Sequence, residues 1–577
     1  MPNQTLDLTQ IESCLERIYD DAATIAKAKQ LVGEVVAEFA SQFDVEDERW
    51  NEKDVVLITY GDQVCPDAAN QQDATPLQTL LQFLTENELL DKLNTVHFLP
   101  CFPYSSDDGF SVIDYRKIDP DLGTWDDIAS FRESANLMFD FVVNHVSQEG
   151  DWFQRYLQGE SPFDEFFIEA DPDTDLSGVT RPRSLPLLSD FETNRGKRWI
   201  WTTFSRDQVD LNYASPHLLA EVVDVLLLYI KRGTRIVRLD AIAYLWKQIG
   251  TSCIHLPQTH EVVKLLRHVV DLVAPHVLLL TETNVPHAEN VSYFGDGDEA
   301  HMVYQFSLPP LLLDSFLNED AKPLKRWLSD LEAPTAGTTY FNFTASHDGV
   351  GVRPLEGQVS DERLASLVEQ VRKRGARVGT KRNADGSDSP YELNVSYVDA
   401  LGPVADELTT QQHAERFLAS QAIMLSLQGM PAVYFHSLVG TQNDVEAVEE
   451  TGIPRRINRR KFALAELNDR LRGDTLQHKI FRGMQRLIRI RTTQSAFHPD
   501  GEQIYVESGN DHVLCFERRS TNGSQRLLVA VNFNDQTQTV QLPADFQNAS
   551  DLLNAETSIG DTITLGSLQV VWLEIRQ

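Results

Sequence analysis

The 577-residue sequence is poor in cysteine, with Cys14, Cys65, Cys101, Cys253 and Cys515 its complete set. They are odd in number, far apart and never in a CxxC pair. That excludes a disulfide framework and a thiolate zinc site, and it predicts buried free thiols in a reducing compartment. No apolar run reaches the roughly 18 residues of a membrane span; the longest, such as VVDVLLLYI, are core-sized. The stretch MPNQTLDLTQ lacks the basic start and apolar run of a secretory signal, so a cytoplasmic location is expected. Positive charge is also scarce. Lys+Arg number 51 against 86 Asp+Glu, a formal charge of −35. Phosphate-backbone binding rests on Lys/Arg contacts, so nucleic acid is not an expected partner, and neither is an anionic membrane. There is no internal repeat and no low-complexity segment. What remains, 42% hydrophobic and 24% charged, is the composition of an ordinary globular protein.

Residues from about Leu8 to Phe43 carry apolar positions at three- and four-residue steps and read as a helical extension, residues 1–52. Eight short apolar runs follow, separated by helical segments. They are Val55–Ile58, Thr95–Leu99, Leu137–Val143, Arg235–Leu239, Val277–Leu280, Met302–Phe306, Thr339–Phe343 and Val433–Phe435. Strands alternating with helices predict right-handed βαβ units, and eight of them predict an α/β protein built on a closed (β/α)8 barrel. An open doubly wound sheet is the alternative, disfavoured because no GxGxxG follows an early strand. The barrel is expected at 53–145 and 233–492. The gap between the third and fourth runs is too long for a simple crossover, so 146–232 is expected to hold an inserted subdomain. After about Thr493 the runs become strand-like with turn signals such as Asn522-Gly523. Residues 493–577 are expected to form an antiparallel β domain.

Chemistry in such a barrel sits at the carboxyl ends of the strands, and several runs end in charge. The third ends in Asn144-His145. The fourth, IVRLD, puts Arg238 and Asp240 on one strand face. The guanidinium would keep that carboxylate ionised, as a nucleophile requires. The fifth delivers Glu282, whose apolar surroundings would raise its pKa and suit a general acid/base. The seventh leads into His347-Asp348. One Asp after a strand also reads as a helix N-cap; carboxylates and histidines at successive strand ends are harder to read that way. Two carboxylates about 5 Å apart across a glycosidic bond support double displacement through a glycosyl-enzyme.

At DFVVNH (140–145), VRLDAIAY (237–244), TETN (281–284) and FTASHD (343–348) the chain resembles the α-amylase family of glycoside-active enzymes. The Asp107–Phe110 segment matches as well. The resemblance implies the barrel, the insert and the C-terminal β domain, with retention of the α configuration. It makes Asp240 the nucleophile, Glu282 the general acid/base and Asp348 the transition-state stabiliser. Asp107, His145, Arg238 and His347 would grip a glucosyl ring beside Phe110, with Gln208 among the substrate-binding residues.

Within that family RPRSLPL, DAIAYLWKQIGTSC, FSLPPLLL, SHDGVGV and INR are most similar to the sucrose phosphorylase group. That group transfers a glucosyl unit to inorganic phosphate and needs no metal or organic cofactor. The expected partners are therefore a small-molecule glucoside and phosphate; neither a monomer nor a homodimer is specified. Arg183, in RPRSLPL, is the expected phosphate residue. Asn284 stands where sucrose-specific members have His, and Tyr391-Glu392 where they tend to have Tyr-Gln, so sucrose is disfavoured as main donor. Two basic clusters, 372–382 and 455–461, are expected to set substrate choice. In the second, Arg459 belongs to the INR match, and Arg455 and Arg456 are expected on the acceptor side facing an anion. VRPLEG, SPYELN and TETNVPH resemble the members that act on glucosylglycerate rather than sucrose 6'-phosphate. A hydrolase or transglucosidase of the same family is the alternative.

Overall fold

The computed structural model describes residues 6–40, 42, 49–68, 74–183, 185–382, 387–405 and 408–576. All eight predicted runs are strands of one closed parallel barrel. They are β1 (Val56–Thr59), β2 (Thr95–Phe98), β3 (Asn136–Phe141), β4 (Thr234–Leu239), β5 (Leu278–Thr281), β6 (Met302–Tyr304), β7 (Thr339–Asn342) and β8 (Met430–Tyr434), each hydrogen-bonded to its neighbours around the ring. Strands buried on both faces have no polar side to alternate with, so they read as continuous apolar runs. Register sets up the site: Asp140 of β3 lies directly beside Arg238 of β4.

The expected N-terminal helical extension consists of two helices, α1 (Thr9–Ile18) and α2 (Ala22–Phe39). Asp21 ends the break by accepting bonds from the Ala23 and Thr24 amides, leaving orphan donors satisfied at the new N-terminus. These helices pack on two barrel helices, α1 on Pro257–Val273 and α2 on Pro216–Lys231. α1 buries Ile11, Cys14, Leu15 and Ile18, about 1.5–3 kcal/mol for each large aliphatic chain. Arg17 pins it to Glu261 at 2.7 Å. Phe43, the expected end of the helical run, lies outside the described residues.

The stretch between β3 and β4 begins with a strand pair, His145–Ser147 against Gln208–Asp210, and includes the hairpin Leu188–Thr193/Gly196–Trp201. Its last part, Pro216–Lys231, is a barrel helix that runs back to β4. Lys247 Nζ, 2.6 Å from Asp210, ties the strand pair to the loop after β4. At the C-terminus five strands form an antiparallel sheet and a separate pair joins Gln538–Gln541 to Thr562–Leu565. The cysteines are free thiols. Among the described residues no helix is long and apolar enough to cross a membrane, and no group of three or more His, Cys, Asp or Glu could hold a metal ion.

Candidate active site

The carboxyl ends of the strands open into one pocket. Its wall contains Asp107, Phe110, His145, Arg183, Gln208, Asp240, Glu282, Asn284, His347, Asp348, Tyr391, Glu392 and Arg455, all named from the sequence. Arg238, Arg456 and Arg459 are outside that wall.

Arg238 is the centre of the floor. Its side chain is 4% exposed. It donates to Asp140, to Asp240 Oδ1 at 2.7 Å, and lies 4.0 Å from Glu282 Oε2. Asp140 in turn is 2.8 Å from His97 Nε2. Glu282 also accepts from the backbone amide of Ala241 at 3.2 Å. Ala241, the residue after Asp240, has φ 48°, a left-handed conformation that costs a non-glycine residue energy and that clusters at functional sites. The turn brings that amide under Glu282.

Burial raises the pKa of both Asp240 and Glu282; Arg238 opposes it in each case, while mutual repulsion with neighbouring carboxylates adds to it. A proton held by this pair belongs on Glu282, since Asp240 has the direct guanidinium bond and Glu282 is 4.0 Å away. The site thus separates an ionised carboxylate from a protonated one. Asp348 is different. Burial works against its ionisation, but Arg455 at 2.7 Å, His347 and Arg459 together hold its carboxyl below the usual range.

Asp107 and Asp108 are consecutive residues with positive φ, 53° and 50°, followed by Gly109 at 108°. A Cβ at Gly109 would come within 2.7 Å of the Pro100 carbonyl oxygen, so only glycine completes this turn. The two carboxylates point to different arginines. Asp107 pairs with Arg183 at 3.2 Å and accepts from Gln208 at 3.3 Å. Burial disfavours its charge, yet Arg183, Arg455 and Arg459 bring its pKa down to about 2. Asp108 pairs with Arg456, and with Arg459 at 2.6 Å. Phe110 stacks on His347 with ring centres 4.6 Å apart. Burial pushes the His347 pKa down to about 3 and lowers that of His145, so both rings are neutral at ordinary pH. His145 Nε2 lies 2.9 Å from the Phe110 carbonyl.

The structure sorts the expected acceptor arginines. Arg455 is in the pocket, held between Asp348 and Glu392, 3.0 Å from the latter. Glu392 also accepts from the Gly349 amide at 2.9 Å. Arg456 faces Asp108 and a separate cleft with Asp62, Asp119 and Lys461, so its expected place on the acceptor side is not the one observed. Arg459 is buried beneath, donating to the His347 carbonyl at 2.8 Å. From the first basic cluster no described side chain lines the pocket. Arg372 pairs with Glu369 on the surface and Lys381 with Glu356. The sequence reading gave no role to His97, nor to Asp140 and Asp108 within the motifs it quoted. For the first two a signal existed: each interrupts an otherwise apolar strand.

A family model described as the alpha amylase catalytic domain matches residues 90–367, and one described as the beta-galactosidase C-terminal domain matches 516–570. The chain is 46% identical to glucosylglycerate phosphorylase of Spirochaeta thermophila, over 90% of this chain and 89% of that one. It is 43% identical to glucosylglycerate phosphorylase of Escherichia coli, over 98% and 100%. Among solved structures, sucrose 6F-phosphate phosphorylase from Thermoanaerobacter thermosaccharolyticum superposes with a TM-score of 0.72 at 27% identity, covering 84% of this chain and 94% of that one.

Proposed function

Since this chain belongs to the α-amylase family, in the branch that contains the glucosylglycerate phosphorylases, we propose that it catalyses the reversible phosphorolysis of 2-O-α-D-glucosylglycerate to α-D-glucose 1-phosphate and D-glycerate. The observation that carries the choice of donor is the identity of 43–46% with two glucosylglycerate phosphorylases over nearly the whole chain, against 30% with a sucrose 6F-phosphate phosphorylase.

The chemistry follows from the carboxylates. Asp240 attacks the anomeric carbon as the bond to the glycerate oxygen breaks, and Glu282 gives that oxygen its proton. The product of this step is a β-glucosyl ester of Asp240. Asp348, kept charged by Arg455, faces the positive charge that develops at the anomeric carbon. Phosphate then attacks the same carbon from the face the glycerate left and gives its proton to Glu282, the ester bond breaks, and both carboxyl groups return to their starting states. Two inversions give net retention. Arg183, 35% exposed on the insert, is positioned to meet phosphate. Free thiols and the lack of a membrane-crossing helix among the described residues support a cytosolic place of work.

The test is an assay of purified protein with phosphate and, in turn, glucosylglycerate, sucrose, sucrose 6'-phosphate and glucosylglycerol. Glucose 1-phosphate should form fastest from glucosylglycerate. Formation from sucrose but not from glucosylglycerate would overturn the choice, and glucose release at a rate indifferent to phosphate would point to a hydrolase.

A further inference from the structure

The other arginines around the pocket are occupied. Arg238, Arg183, Arg455, Arg456 and Arg459 each pair with a site carboxylate. Arg353 is not. Its side chain is 19% exposed, and its Nε is buried with no hydrogen-bond partner. The one carboxylate near it, Glu356, is 3.9 Å away and is taken by Lys381 at 2.9 Å. Glu289, in the same neighbourhood, is taken by His255 at 3.2 Å. A mostly buried guanidinium whose one carboxylate is distant and shared is costly to keep.

Its place in the fold says what could offset that cost. The segment Gly351-Val352-Arg353 runs along the acceptor wall. Gly351 packs so closely on Asn284 that a Cβ would sit 2.6 Å from the amide nitrogen. The Val352 amide donates to the Tyr391 carbonyl at 3.0 Å. Asn284 and Tyr391 both line the pocket beyond Glu282, and the Asn284 Oδ1 is itself buried without a partner. The Arg353 charge is felt by the Tyr391 and Tyr244 hydroxyls, which stand in the same wall. An arginine whose Nε is unpartnered thus stands behind the wall that holds the unpaired Asn284 acceptor.

We propose that Arg353 is the specificity-determining residue for the acceptor: its guanidinium receives the carboxylate of the glyceryl group in a forked pair, while Asn284 takes a glyceryl hydroxyl. A planar carboxylate matches the guanidinium fork. Arg183, across the pocket on the insert, is left for phosphate. This assignment rests on the glucosylglycerate reading above.

The experiment compares the wild-type protein with Arg353→Gln and Arg353→Lys, using two donors with phosphate. Glucosylglycerate carries the carboxylate. α-D-Glucosyl fluoride delivers the same glucosyl group with a leaving group that has none. For Arg353→Gln, kcat/KM on glucosylglycerate should fall about 30- to 100-fold, the worth of a charged hydrogen bond. On the fluoride, kcat/KM and the KM for phosphate should stay within about twofold. In the reverse direction the KM for glycerate should rise while that for glucose 1-phosphate holds. Arg353→Lys, which keeps the charge, should recover part of the loss. Equal losses with both donors would overturn the proposal, since the arginine would then serve the sugar, the phosphate or the fold. No loss with either donor would overturn it too. If the wild-type protein itself used the fluoride but not glucosylglycerate, the donor reading would fall and the proposal with it, a failure visible before any variant is made.

Discussion

Lys247→Met is a test of how the insert is held to the barrel. Lys247 Nζ is 2.6 Å from Asp210 Oδ2 and 2.8 Å from Asn144 Oδ1, and the two ionic side chains are 2% and 0% exposed. At an effective dielectric of 20 a pair at this distance gains about 6 kcal/mol, most of it offset by the cost of burying two ions. Removing one partner from a buried pair leaves the other uncompensated, at about 3–5 kcal/mol. Asp210 would keep three donors, the Thr203 amide at 2.6 Å, the Thr203 hydroxyl at 2.7 Å and Asn144 Nδ2 at 3.2 Å. They soften the loss to about 2–4 kcal/mol. For a chain of this length the unfolding entropy is about 1.2 kcal/mol/K, so the melting temperature should drop by about 2–3 °C. The double variant Lys247→Met/Asp210→Asn should recover most of it, because no buried charge remains. The Lys247 pKa is lowered, by burial first, with Asp210 opposing. A lysine whose folded pKa is depressed favours folding more as pH rises past that pKa towards its unfolded value, so this part of the wild-type advantage grows on the alkaline side. Differential scanning calorimetry of the three proteins is the assay. A single variant that melts with the wild type, or a double variant no better than the single, would refute the reasoning. Because Gln208 and His145 lie on the strands that Asp210 joins, the single variant should also raise the donor KM several-fold.

Asp240→Asn should leave below about 0.1% of turnover with every donor, since an amide cannot form the glucosyl ester; surviving activity in a preparation checked by mass spectrometry would refute the mechanism. Glu282 has a raised pKa and must be protonated to act, so kcat/KM on glucosylglycerate should fall as pH rises through that pKa. The alkaline fall should be absent with α-glucosyl fluoride, whose leaving group needs no proton; the same fall with both donors would assign it elsewhere. Arg456→Ala should affect anionic and neutral donors equally, because Arg456 is turned to Asp108 outside the pocket; a selective rise in KM for the anionic donor would put it back on the acceptor side. Arg183→Gln should raise the KM for phosphate about tenfold and increase the share of glucose over glucose 1-phosphate, as the glucosyl ester waits longer for its acceptor; an unchanged product ratio would remove Arg183 from phosphate binding.

The barrel was legible because parallel strands covered on both faces must be apolar throughout, so each run announced itself without alternation. The carboxylates that follow β4, β5 and β7 were legible for the complementary reason: charge at the end of a buried strand needs a purpose. What the sequence could not convey was side-chain direction in loops. Asp107 and Asp108 are adjacent and chemically alike, yet a left-handed turn sends one to Arg183 and the other to Arg456 and Arg459. Arg455 and Arg456 likewise part company within one short helical turn, Pro454–Asn458. A run of basic residues fixes composition, while the backbone decides which member faces the substrate. The place of the break between α1 and α2 was not specified, because the apolar spacing continues on either side of it. The strands at 550–551 and 562–565 are two and four residues long, too short for a distinct run, although Ile563 and Leu565 alternate into the core.

The formal charge of −35 poses a problem for a site that takes two anions in turn, and the pairing pattern answers it. Long-range repulsion is screened beyond about 8 Å at physiological salt, so affinity is decided by what lies in the wall. There nearly every guanidinium already has a carboxylate, which keeps the empty pocket from trapping whatever anion arrives. The pairs are not equal. Arg238 is 4% exposed and held by Asp140 and Asp240, so no ligand displaces it, and it remains available to govern the proton on Glu282. Arg183 is 35% exposed with one contact to Asp107 at 3.2 Å, a pair worth about 1 kcal/mol or less. Phosphate can take that arginine at little cost and release it again at little cost. A phosphorylase that runs in both directions requires that kind of balance at the phosphate position, because phosphate held by several free, desolvated guanidinium groups at once would leave too slowly for the next turnover.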